Sequence, residues 1–320
     1  TTVHNDAFSY CSGITSLKLG SNITQIYPYS FSHCSSIQSL TIPETVKSIG
    51  SYAFAYCTGI SGILKIPNAV TNIAIHAFSY CKSFETLEFG TGMEEIPAYS
   101  FDYCTSLSKL QIPDYVKSIG QYAFVGCSGL KGILNLPETI LIIGNGAFSN
   151  CTAITGFKIS QSIKKIYSYV FSGCISITNF EIPEWITMIG SYGFSYCSGI
   201  KGVLVIPDNV QHIETGAFYQ CIGITALNLS KKMTEIAPYT FSYCTSLSSI
   251  NIPDWISFIG INAFAHCSGI FGILTIPETI QVVDSYAFSH CTEIREIRIE
   301  SKSTAIRNNV FEYCTHLEIL

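Results

Sequence analysis

Cysteine recurs at Cys11, Cys34, Cys57, Cys81, Cys104, Cys127, Cys151, Cys174, Cys197, Cys221, Cys244, Cys267, Cys291 and Cys314. The intervals run 23, 23 and 24 and then repeat, so every third cysteine lies 70 residues further on. A fixed period in this range is the mark of a solenoid, because each repeat buries its apolar face only against its neighbours. Uninterrupted repetition over 320 residues therefore predicts one elongated domain spanning 1–320 rather than two globular ones.

The composition supplies material for a continuous core: 48% of residues are hydrophobic and 12% charged, which excludes a disordered chain. Seventeen Lys and Arg against 22 Asp and Glu leave a net charge of −5, with no basic cluster. Nucleic acid and anionic membrane surfaces are thereby excluded as partners. No apolar run approaches the roughly 18 residues a bilayer span needs, so this segment does not insert into a membrane, and none reads as a signal peptide. Thr1 aligns with Lys47, and Leu320 falls within a strand, so the chain starts and stops inside a repeat. The expectation is a fragment of a longer protein, without terminal caps.

An even number of cysteines first reads as a disulfide framework. One cysteine per repeat at one phase instead stacks into a ladder with parallel side chains about 4.8 Å apart, a poor geometry for disulfides. A ladder of free thiols acting as small buried hydrophobes is the leading reading, with some disulfides or metal binding as alternatives.

Within the unit from Cys34 to Cys57, Leu40 and Ile42 alternate with Thr41 in the period of a half-buried strand. Pro43 ends it by withholding a ladder donor, and Glu44 opens a turn. Val46 and Ile49 carry a returning arm that Gly50 breaks. Ala53, Phe54, Cys57 and Ile60, spaced one, three and three apart, predict a short helical turn with one face buried. Stacking of these units aligns the phenylalanines from Phe8 to Phe311 into one aromatic spine.

The full pattern, Cys-x-x-Leu-x-x-Leu-x-Ile-Pro-x-x-Val-x-x-Ile-Gly-x-x-Ala-Phe-x-x-Cys, resembles the BspA-like subclass of leucine-rich repeats and covers essentially the whole chain. Every third repeat departs from it by replacing the strand-ending proline, at Gly20, Gly90, Ser160, Ser230 and Glu300. The resemblance implies an α/β fold: a right-handed, horseshoe-like solenoid of about 13–14 repeats with a parallel sheet on one face. Short helical turns and second-arm strands would lie on the other side. At about 4.8 Å per strand the stack would extend roughly 60 Å.

One coil in three carries an extra residue between paired glycines, at Gly59 and Gly62, Gly129 and Gly132, Gly199 and Gly202, and Gly269 and Gly272. The insertion reads as a β-bulge. It presents Ile63, Ile133, Val203 and Ile273, either as plugs for gaps at the strand entrance or as apolar contact points for a partner.

The outward strand positions form a row that includes Lys65, Glu88, Gln111, Asn135, Lys158, Glu181, Asn228 and Asn251 and ends at Arg298. A flanking row includes Gln38, Glu85 and Lys131 and ends with Phe271 and Arg295. The resemblance makes this sheet face the leading binding surface; plain solvated sheet is the alternative, since large aromatic and arginine anchors are few. Only Phe271 with Arg295 and Arg298 looks enriched in them. After the strand-ending prolines, Tyr115, Trp185 and Trp255 recur three coils apart on one edge, as contact points or as cover for the apolar edge beside them. The turn acids Asp114 with Glu138, Glu184 with Asp208 and Asp254 with Glu278 pair between neighbouring coils. They could share calcium or, as is more usual, accept turn amides.

Two tyrosine rows, one through Tyr29 and Tyr52 and one through Tyr10 and Tyr56, read as stacks between turns or as an adhesive surface. His33, His266 and His290 occur singly within the second row rather than as a metal constellation. Asn22, Asn150 and Asn228 head N-x-Ser/Thr sequons that would accept glycans in a secretory setting. No phosphate loop, nucleophile elbow or convergent set of unique residues points to catalysis, a metal or a cofactor. The expectation is a non-enzymatic protein-binding module. By resemblance it would act at the cell surface or after secretion in adhesion, with a matrix or host surface protein as partner; a cytoplasmic scaffold is the alternative.

Overall fold

The computed structural model describes residues 3–320; Thr1, aligned above with Lys47, lies outside them. The chain falls into two compact units, one ending at Ile163 and the other beginning at Lys164. Each is a parallel-strand solenoid of stacked coils.

In the first unit, the sheet face is built from Ser16–Lys18, Ser39–Thr41, Ser61–Lys65, Ser83–Glu88, Lys109–Leu110, Gly132–Asn135 and Ile154–Lys158. Pairing is parallel and in register, as in Lys65 with Glu88 and Asn135 with Lys158. Side chains alternate between the two faces: Leu64, Leu87 and Leu134 are buried while Lys65, Glu88 and Asn135 face solvent. The returning arm contributes two-residue strands such as Gln25–Ile26, Ser48–Ile49 and Asn72–Ile73, whose isoleucines are buried in register. The second unit repeats the scheme, with face strands Gly202–Val205, Ile224–Asn228, Gly272–Ile276 and Ile294–Ile299. Near its end Ile319 forms an isolated bridge to Glu296; Leu320, expected in a strand, lies outside one.

The expected short helical turn is absent: the described residues contain no helix. The segment Gly50–Cys57 is a run of tight turns. Ala53, Ala55 and Cys57 donate their amides three residues back, to Gly50, Tyr52 and Phe54. The intervening residues Tyr52, Phe54 and Tyr56 donate to Ile75, Ala77 and Ser79 of the next coil, at 2.8–3.2 Å. Apolar spacing alone fits a helix equally well, but half of these amides bond between coils, which no helix permits. The turns also need a left-handed residue every fourth position, and Tyr29, Tyr52, Tyr56, Tyr80 and their equivalents have φ between 53° and 62°. Bulky residues seldom take such φ, so packing holds them there.

That packing is the ring stack itself. Tyr29, Tyr52, His76, Tyr99 and Tyr122 stack in sequence with centroids 4.6–5.1 Å apart. Tyr10, His33, Tyr56, Tyr80 and Tyr103 do the same at 4.4–4.7 Å. Histidines continue these rows rather than interrupting them. The buried phenylalanine spine runs from Phe31 to Phe148 in the first unit, with neighbouring rings 5.4–5.8 Å apart. In the second unit it runs from Phe171 to Phe288 and ends on half-buried Phe311, with rings 5.2–5.9 Å apart. Each such ring contributes about 1.5–3 kcal/mol by burial.

All fourteen cysteines are free, and all but Cys11 are buried. They are more than hydrophobes: Cys57, Cys81 and Cys127 each donate Sγ–H to a phenylalanine carbonyl one coil back, at 3.0, 3.1 and 3.2 Å.

Candidate functional site

The bulge expectation holds. Register shifts between Gly62 and Ile63, Gly132 and Ile133, Gly202 and Val203, and Gly272 and Ile273, and the four glycines have φ of 70–80°. The extra side chains do not plug gaps. Ile63 is 58% exposed, Ile133 42%, Val203 60% and Ile273 50%, because the inserted residue turns its side chain out onto the sheet face.

The bulged strand also breaks the ladder on its N-terminal side. Ser61 N–H reaches the Gln38 carbonyl at 3.1 Å. Beyond that bond Ser39–Thr41 and Ser61–Lys65 belong to different sheets, as do Lys109–Leu110 and Gly132–Asn135. A cleft opens at each break. The first, with a volume of about 460 Å³, is lined by Leu40, Thr41, Ile63 and Lys65 among others. The second, about 330 Å³, has Leu110, Gln111, Ile133 and Asn135 at the same four positions. In the second unit a cleft of about 440 Å³ has Ile250, Asn251, Ile273 and Thr275 there. No single repeat announces these clefts in sequence; the signal that could have found them is the glycine pair, repeated every 70 residues.

The predicted surface residues fall on this face. Lys65, Glu88, Gln111, Asn135 and Lys158 are all exposed, and the structure brings the first four to the two clefts of the first unit. In the second unit Glu181, Asn228, Asn251, Phe271, Arg295 and Arg298 are exposed. Phe271, 64% exposed, donates its amide to the Ser248 carbonyl. Arg298 Nε holds Glu296 at 2.6 Å, and Arg295 lies 3.9 Å from Glu318, so neither guanidinium is free of a carboxylate.

The edge aromatics are tied into the coils. Tyr115 donates its hydroxyl to the Phe89 carbonyl at 2.9 Å, and Trp255 Nε1 donates to the Ser230 carbonyl at 3.0 Å. Both acceptors adjoin or belong to the coils that lack the strand-ending proline. Trp185 is half-buried at the equivalent position. The turn acids accept amides from the next coil: Glu44 from Asn68, Glu138 from Gln161 and Asp208 from Lys231, at 3.1–3.3 Å. Among the described residues no group of three or more His, Cys, Asp or Glu is placed to hold a metal ion. Asn22 and Asn228 are exposed, and Asn150 bonds Ser149.

One buried charge went unpredicted. Asp102 occupies the position of Ser79 and Ser149, its side chain 5% exposed, with His76 Nδ1 3.3 Å from its Oδ1. Burial raises its pKa against the opposing pull of Ser79 and His76. Burial likewise raises the thiols of Cys81, Cys197, Cys221 and Cys267, the wrong direction for a nucleophile. No helix is long and apolar enough to cross a membrane among the described residues.

A family model described as BspA type Leucine rich repeat region, in 6 copies, matches residues 1–131, 94–225 and 203–318. No curated protein matches the chain. Among solved structures, a leucine rich cell surface protein from Faecalibacterium prausnitzii is 28% identical with a TM-score of 0.66, covering 94% of this chain and 83% of its own. A leucine-rich repeat protein from Bacteroides ovatus is 25% identical, TM-score 0.61, with 85% and 81% covered. The pneumococcal vaccine antigen PcpA is similar in fold at 20% identity, TM-score 0.60, with 90% and 81% covered.

Proposed function

This chain belongs to the BspA-type leucine-rich repeat family, and from that premise we propose that it is a non-enzymatic protein-binding module that recognises its partner with the sheet face. The observation that carries this reading is the combination of in-register polar rows with outward apolar side chains at every bulge. Exposed Ile63 and Ile133 sit among Lys65, Glu88, Gln111 and Asn135, the mixture of apolar centre and polar surround found in protein interfaces. The tyrosine rows compete less well, because their ring faces are spent on one another.

The setting we propose is the cell surface, in adhesion to a matrix or host surface protein. The description of the Faecalibacterium relative as a cell surface protein supports it. Repetition suits such work, since many weak equivalent contacts add through avidity. Labelling intact source cells with a membrane-impermeant biotin reagent tests the location. Capture of labelled protein supports it and leads to a matrix-protein binding screen; labelling only after lysis overturns it in favour of an intracellular scaffold.

A further inference from the structure

The two clefts of the first unit are three coils apart, roughly 14 Å at about 4.8 Å per coil. An extended chain covers that span in about four residues at about 3.4 Å each, an even number that returns the side chain to the same side. Residue i of such a chain would enter the cleft walled by Leu40 and Ile63, and residue i+4 the one walled by Leu110 and Ile133. Residue i+2 then falls midway, over the strand Ser83–Glu88. Glu88 lines both clefts, is exposed, and has no ion-pair partner among the described residues; Glu85 is exposed on the same strand. Lys65 and Lys109 stand on the coils to either side, and Lys65 lies 4.0 Å from Glu44.

We infer that the clefts at Ile63 and Ile133 form one bipartite site for an extended peptide segment, with apolar residues at i and i+4 and a basic residue at i+2. The inference rests on the sheet-face reading above and names the chemistry of its ligand. Each cleft, at about 460 and 330 Å³, has room for an apolar side chain, and exposed Ile63 and Ile133 lose water when it enters. The carboxylate of Glu88 supplies charge complementarity at the centre, which selects the register and rejects an acidic residue there.

The test uses the full chain and fluorescein-labelled heptapeptides in anisotropy titrations. One peptide has leucines four apart with a central lysine; a second has the same composition with leucines three apart; a third has a central glutamate. The first is expected to bind about tenfold more tightly than either control, a difference that apolar burial and one favourable charge can supply. Glu88→Lys is expected to reverse the preference between lysine and glutamate centres. Ile63→Ser and Ile133→Ser, both at exposed positions, should each weaken the first peptide about tenfold. Equal affinity for the two spacings, or an unchanged centre preference in Glu88→Lys, overturns the site. Failure of all three peptides to bind, while sheet-face variants still abolish capture of a protein from the matrix screen, also overturns it and leaves the broader reading standing. Peptides binding as expected with no protein captured in that screen keeps the site and sinks the adhesion reading.

Discussion

The thiol of Cys57 donates a 3.0 Å hydrogen bond to the main-chain carbonyl of Phe31, which also accepts the Cys34 amide at 3.2 Å. Cys57 thus completes the second lone pair of that carbonyl in a dry interior, where a vacant acceptor is costly. Cys81 repeats the arrangement on the Phe54 carbonyl that accepts the Cys57 amide. Serine would bring a more strongly hydrated donor into the same apolar stack, and alanine no donor at all.

Cys57→Val keeps an apolar side chain and removes the donor, while adding a second γ branch at a fully buried position. It should cost about 0.5–1.5 kcal/mol in urea unfolding. Equality with the wild type would remove the hydrogen bond from the account. Burial pushes the Cys244 thiol up to about 12 and the Cys314 thiol to about 11. An aromatic disulfide reagent at pH 8 should therefore titrate one fast thiol, exposed Cys11, in the native protein and all fourteen after denaturation.

Asp102 is raised in the folded state by burial. The fold therefore binds this proton more tightly than the unfolded chain does, and the ionisation cost is absent below the unfolded value near 3.8. Stability falls as pH rises from there through the folded pKa, and the full cost persists above it. Asp102→Ser, the residue of equivalent coils, should raise the melting temperature at pH 7 and have little effect at pH 3. A gain of the same size at both pH values would show that burial of the charge is not its cause.

Gly62 and Gly90 separate two reasons for glycine. At Gly62, φ is +70° with nothing within 4 Å of an added Cβ, so Gly62→Ala meets backbone strain alone, about 1–2 kcal/mol. At Gly90, φ is ordinary, but a Cβ would lie 2.3 Å from the Pro67 carbonyl carbon. Gly90→Ala must shift main chain and should cost more. Chemical denaturation of both variants checks the order; the reverse order would mean that the coils relax freely there.

Tyr115→Phe and Trp255→Phe each remove one donor from a main-chain carbonyl. Each should cost about 0.5–1.5 kcal/mol of stability by thermal or urea melts. If these rings hold coils together rather than a partner, partner capture should remain unchanged in both variants. Lost capture at unchanged stability would instead make them contact residues.

Much of this fold was legible in residue spacing. The 23-23-24 period placed Cys34, Phe54 and Ile60 in the core, and the glycine pairs around Ile63 and Ile133 marked the bulges. The turn segment was misread because Ala53, Phe54 and Cys57 satisfy two geometries, and the choice rests on where Tyr52, Phe54 and Tyr56 send their amides. The face rows were found, while the clefts beside Ile63 and Ile133 were not.

Sequence by itself determined which residues recur at equivalent places, because a stacked solenoid carries its period into the chain. It placed the sheet, the returning arm, the buried ladders and the outward rows of Lys65 and Glu88. Only the tertiary structure decided that Ile63 faces solvent, that the ladder opens before each bulge, and that Asp102 meets His76. These are relations between coils, and their hydrogen bonds and packing join residues 23 to 27 positions apart, where no local pattern reports the partner.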